Sequence, residues 1–137
     1  MAAALVQVCV DPRLNHELLR AQVQQKLDRM GLSADRIFLL GEVGGNIGAN
    51  FQHTLDLLKR SNDKVVLCAV LHHDDCVAAA AGLRAPLEVS VGEIASVLAK
   101  QNIVCRVLTG NIRTEQNHLL WSDEPEPRYQ PWSFGLY

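Results

Sequence analysis

The stretch KVVLCAVL, Lys64 to Leu71, is apolar almost without interruption. A strand of that kind has no polar face to turn to water, so it belongs in a parallel sheet covered on both sides. The rest of the chain supplies the covers, because strand-like and helix-like runs alternate around it. AALVQVCV is a strand run, ended by Asp11 and Pro12. Asn15 caps a helix expected from about His16 to Met30, with Leu19, Val23, Leu27 and Met30 at helical spacing and Gly31 to stop it. RIFLL is a second strand running into GEVGGNIGAN, whose glycines mark a tight loop. A helix from about Asn50 to Arg60 presents Phe51, Leu55 and Leu58 on one face. VAAAAG reads as a short helix, Ser90 and Glu93 as the capping box of another reaching about Lys100, and IVCRVLTG as a fourth strand. The expectation is an α/β fold: an open, mainly parallel sheet of four to five strands flanked by helices over residues 1–114. An extended C-terminal arm rich in proline and aromatic residues follows over 115–137.

Composition narrows the function classes. A chain of 137 residues suits one domain able to bury a core without disulfide staples. Its net charge of −2 argues against nucleic acid as the partner, since neutralising phosphates takes a basic surface. No 18-residue apolar run is present, so no membrane span is expected. The start, MAAALVQV, lacks the basic region of a signal peptide, which makes a cytoplasmic placement the expectation. Four cysteines in such a chain are not a disulfide framework. Cys68 and Cys105 lie within apolar runs and read as small buried hydrophobes. Cys9 and Cys76 stand where strands give way to polar residues.

In open parallel sheets, ligands bind at the carboxyl ends of the strands. Four polar clusters fall on that edge: CVDPR, GGNIG, HHDDC and GNIR, one after each strand. Crowding His72, His73, Asp74, Asp75 and Cys76 at one turn is costly unless something binds there. Zinc takes thiolate and imidazole ligands, and a catalytic site keeps three protein ligands with one open position. Cys9, His73 and Cys76 supply that set; His72 competes with His73, at a spacing one residue longer from Cys76. Cys76 opens a helix, a place that favours the thiolate. Asp74 and Asp75 read as helix-start residues, Gly44, Gly45 and Gly48 as a tight turn, with a backbone N–H holding a substrate oxygen as the lesser alternative, and Asn111 and Arg113 as the edge of the site.

CVDPR resembles the C-x-D-x-R motif of the β-class carbonic anhydrases, and HHDDC is similar to their H-x-x-C motif. GEVGGNIG loosely resembles their glycine-rich segment. The motifs span roughly Leu5 to Gly82. The resemblance implies a β-carbonic-anhydrase-like fold, Zn2+ held by Cys9, His73 and Cys76, and a neighbouring dyad of Asp11 and Arg13. It implies a lyase that hydrates CO2 reversibly to bicarbonate through zinc-bound hydroxide. Asp11, oriented by Arg13, either accepts a hydrogen bond from the zinc-bound water or swings in to close the site. Two departures stand beside the motifs: His72 and Val77 occupy positions where the family usually has glycine. Both add bulk near the metal, narrowing the pocket or, for His72, providing a proton relay.

Three other readings compete. One keeps the zinc and hydrolyses carbonyl sulfide or carbon disulfide. Another is a catalytically silent zinc-containing scaffold acting through its tail, and the last a cysteine-nucleophile enzyme. Trp121, Tyr129, Trp132, Phe134 and Tyr137 crowd the tail beside Pro125, Pro127 and Pro131, which forbid a long helix. Its aromatics would pack on their own domain, reach a second copy in a homodimer or higher homo-oligomer, or recruit a separate partner.

Overall fold

The computed structural model describes residues 1–125. The tail aromatics Tyr129, Trp132, Phe134 and Tyr137 lie outside that range. Five strands form one sheet: β1 (Ala2–Cys9), β2 (Arg36–Glu42), β3 (Lys64–His73), β4 (Arg106–Arg113) and β5 (His118–Trp121). Their order is β2-β1-β3-β4-β5; the first four are parallel and β5 runs antiparallel to β4. The helices are α1 (His16–Arg29), α2 (Ala49–Arg60), α3 (Val77–Ala80) and α4 (Leu87–Lys100). This is the open, mainly parallel α/β architecture the sequence implies.

Two apolar layers sandwich the sheet. Leu19, Val23 and Leu27 of α1 pack with Val6, Val8, Leu67, Ala69 and Leu71 on one face. Phe51 and Leu55 of α2 and Ile94 and Leu98 of α4 pack with Leu5, Cys68 and Val70 on the other. The central strands β1 and β3 are thus buried on both sides, the condition that the run KVVLCAVL requires.

Helix ends follow local chemistry. The Asn15 side chain accepts from Leu18 N at 3.1 Å, as an N-cap does. Gly31, at φ 69°, lets Leu32 N reach back to Leu27 O at 2.9 Å and closes α1. Asn62 and Asn102 take the same left-handed conformation after α2 and α4.

Several boundaries differ from the sequence reading. Helix α4 begins at Leu87 behind Pro86, whose carbonyl accepts from Val89 N and Ser90 N. Ser90 is therefore buried inside the helix and does not cap it; the capping-box spacing lost to the φ that proline presets. His72 and His73 belong to β3, and Gly110–Arg113 to β4, because the β3–β4 ladder runs on to pair His73 with Ile112. Cys105 lies just before β4 and is half-buried, whereas Cys68 is buried; their sulfurs are 3.8 Å apart. His118–Trp121, placed in the tail by sequence, add the fifth strand, and Trp121 is buried in the core.

Candidate metal centre

Chain β1 leads through α1 to β2 on one side, and β2 leads back across β1 to β3. The helices of these two crossovers lie on opposite faces, so a crevice opens where the order reverses, above the ends of β1 and β3. Cys9 is the last residue of β1, His73 the last of β3, and Cys76 the N-cap of α3 three residues on. All three are buried. Alternation along β3 separates the two histidines. Leu67, Ala69 and Leu71 face α1, and the same parity carries His73; His72 follows Cys68 and Val70 to the other face. His73 therefore meets the cysteines. The Cys9 and Cys76 sulfurs and a His73 ring nitrogen all lie within 4.8 Å of one another.

Gly45 makes this approach possible. Its φ is 69°, and a Cβ there would stand 3.2 Å from Leu71 O and 3.5 Å from Cys9 N. The glycine-rich loop thus packs its backbone directly behind Cys9.

The ring of His73 is held at one nitrogen and open at the other. Nδ1 lies 2.8 Å from Asp74 O and 3.0 Å from Thr114 Oγ1. Nε2 is buried and has no hydrogen-bond partner among the described residues. A buried polar atom normally has a partner. Here an unpartnered imidazole nitrogen faces two thiols, the donor set of a Cys2His zinc site, and bonds of about 2.0–2.3 Å to one central ion would require only a small contraction. The residues present fit zinc.

Beside them, Asp11 and Arg13 form the pair the sequence motif implies. Arg13 Nε and Nη2 donate to the Asp11 carboxylate at 3.0 and 2.7 Å, and Arg13 N donates to Oδ1 at 2.9 Å. Nη2 also donates to Asp75 O at 2.8 Å, tying the loop after β1 to the loop after β3. The guanidinium lowers the Asp11 pKa to about 2. Asp74 is not a helix-start residue: its carboxylate accepts from Thr114 N at 2.7 Å, which holds its pKa below the usual range.

An apolar cleft of about 330 Å³ adjoins the centre, lined by Cys9, Val10, Asp11, Pro12, Val43 and Val77 among others. Val77 is 76% exposed, so it borders the cleft rather than plugging it. His72 is buried, its Nε2 has no hydrogen-bond partner among the described residues, and burial, then Arg84 and His73, lower its pKa to about 4. It is not among the three converging donors. Helix α3 spans four residues, so the dipole invoked for Cys76 is that of a single turn. Asn111 and Arg113 point to exposed positions on β4.

Sequence reasoning missed Thr114. The cluster GNIR was read up to Arg113, one residue short, and nothing in a lone threonine marks it as the partner of a histidine 41 positions away.

No protein-family model and no curated protein matches the chain. Solved structures do. A carbonic anhydrase from Streptococcus mutans superposes with a TM-score of 0.54 at 18% identity, covering 88% of this chain and 81% of that one. A variant of the β-carbonic anhydrase CafD of Aspergillus fumigatus gives 0.54 at 18%, covering 90% of each chain. The β-carbonic anhydrase CafA of the same fungus gives 0.50 at 15%, covering 90% of this chain and 76% of that one. The fold is that of the β-carbonic anhydrases.

Proposed function

We propose that the chain is a zinc-dependent carbonic anhydrase of the β type, a lyase interconverting CO2 and bicarbonate. One observation carries the reading: Cys9, His73 and Cys76 bring buried donor atoms together beside a carboxylate that Arg13 holds ionised. Zinc bound there supplies a Lewis acid that makes water a nucleophile near neutral pH. The chain's own residues do the rest. Asp11, fixed by Arg13, accepts a hydrogen bond from the attacking water and orients it. Val10, Val43 and Val77 offer an apolar wall suited to an uncharged linear molecule and unsuited to its anionic product. Carbonyl sulfide and carbon disulfide share that shape and polarity, so their hydrolysis is the alternative on the same site. A zinc-containing scaffold without turnover is the third.

Val10, Val43, Val77 and Leu83 are exposed around the same cleft, and a contiguous apolar rim favours assembly as a homodimer or higher homo-oligomer. Four free cysteines suit the reducing cytoplasm.

The test is stopped-flow CO2 hydration on protein carrying one zinc per chain, across about pH 6.5 to 9. Turnover that rises with pH supports the reading. Zinc-loaded protein inert toward CO2 but active on either sulfur analogue moves the assignment to a hydrolase; inertness toward all three leaves the scaffold.

A further inference from the structure

The turn from β4 to β5 touches both halves of the centre. Thr114, the first residue after β4, is buried. Its N–H donates to Asp74 Oδ1 at 2.7 Å and its hydroxyl donates to Asp74 O at 2.6 Å. That commits the only hydroxyl proton, so toward the His73 Nδ1 at 3.0 Å the Thr114 oxygen can only accept. The Asp74 carbonyl, 2.8 Å from the same nitrogen, can also only accept. Both neighbours thus demand a proton on Nδ1, and the neutral ring must carry its lone pair on Nε2, the atom directed at the cysteines. Three residues further on, Asn117 donates to Arg13 O at 3.1 Å and accepts from Asn15 N at 2.7 Å. The same turn therefore fixes the loop that carries Asp11 and Arg13.

We infer that Thr114 is a positioning residue for the metal centre: with the Asp74 carbonyl that its hydroxyl anchors, it holds the His73 tautomer and ring orientation that present Nε2 to a metal ion. The inference rests on the metal reading above and adds to it a residue outside both sequence motifs. A hydrogen-bonded partner on the far nitrogen of a ligating imidazole characteristically contributes 10–100-fold to metal affinity.

The test compares wild type with Thr114→Val, which keeps the shape and removes the hydroxyl, Thr114→Ser, which keeps the hydroxyl, and Thr114→Ala in case valine impairs folding. Zinc affinity is measured by competition with a chromophoric chelator, and the coordination sphere by the visible spectrum of the cobalt(II)-substituted protein. Thr114→Val and Thr114→Ala should bind zinc about 10–100-fold more weakly with an altered cobalt spectrum, and Thr114→Ser should stay near wild type. A purely structural role would lower the melting temperature of the metal-free protein without moving the cobalt spectrum. Wild-type affinity in the folded hydroxyl-free variants would overturn the inference alone. A wild-type protein that takes up no zinc would overturn the metal reading and this inference with it.

Discussion

His73 Nε2 lies 3.9 Å from Asp11 Oδ2. With Nδ1 engaged by two acceptors, the lone pair of a neutral ring faces a carboxylate that Arg13 keeps ionised. Two thiol sulfurs close the same space, so electron-rich donors converge on one point. A cation at that point would be attracted by each of them.

Removing any one donor should therefore empty the site. Cys9→Ala, His73→Ala and Cys76→Ala are each expected to lose stoichiometric zinc, read as metal per chain by elemental analysis after dialysis. Full retention in one of them would remove that residue from the ligand set. His72→Ala is the control: its side chain is on the opposite face of β3, and zinc content should stay at one per chain.

Asp11→Asn separates binding from turnover. The amide is a neutral, weaker acceptor that takes up no proton, yet it leaves the three converging donors in place. Zinc content should hold while the rate falls by roughly 10²-fold or more. Arg13→Lys should fall in the same direction, because an ammonium cannot reproduce the two-pronged contact at 3.0 and 2.7 Å. An Asp11→Asn protein with unimpaired turnover would take Asp11 out of the mechanism.

The legible and illegible parts of this molecule divide on a physical line. The apolar runs of β1 and β3, the Asn15 cap and the Gly31 stop were readable because each depends on neighbours close in sequence. The convergence of Cys9 with His73 and Cys76 was readable because strand-end motifs of a parallel sheet must share an edge. Ser90 misled because capping-box spacing is blind to a proline one turn earlier. Thr114 and β5 were missed for another reason. Their roles come from the β3–β4 register and an antiparallel return, which are decided by tertiary pairing. Spacing from Cys76 favoured His73 over His72 in the sequence; the parity that puts them on opposite faces of the sheet was not legible there, because it required knowing that β3 continues through both.

Gly45→Ala should damage fold and site together. The left-handed φ costs an L-residue about 1–2 kcal/mol. The new methyl would also press on Leu71 O, 3.2 Å away, with Cys9 N at 3.5 Å. Gly31→Ala, at the same φ of 69° but with no described residue within 4 Å of its Cβ, bears the conformational term alone. Thermal melts should rank Gly45→Ala below Gly31→Ala, and only Gly45→Ala should weaken zinc binding. Equal melting temperatures with equal zinc affinity would show that the loop backbone does not constrain Cys9.

The hairpin that carries Thr114 is anchored at its far end by a pH-dependent contact. Glu124 accepts from Lys26 Nζ at 2.6 Å and from Arg29 Nη2 at 2.8 Å, and these donors lower its pKa. A carboxyl with a lower pKa folded than unfolded stabilises the fold fully above its ordinary value of about 4.3; the contribution is lost as pH falls through the folded value. Glu124→Gln should cost no more than about 1 kcal/mol at neutral pH, since the carboxylate is partly exposed. The difference from wild type should shrink as pH falls from neutral to below the ordinary carboxylate value of about 4.3, as Glu124 takes up its proton. Lys26 is buried and lies 5.7 Å from the Trp121 ring centroid, so Lys26→Met should keep the packing but lose both the ion pairs and the ring contact. Urea melts of the three proteins at the two ends of that range check the sign: a gap for Glu124→Gln that widens toward acid would contradict the assigned ion pair.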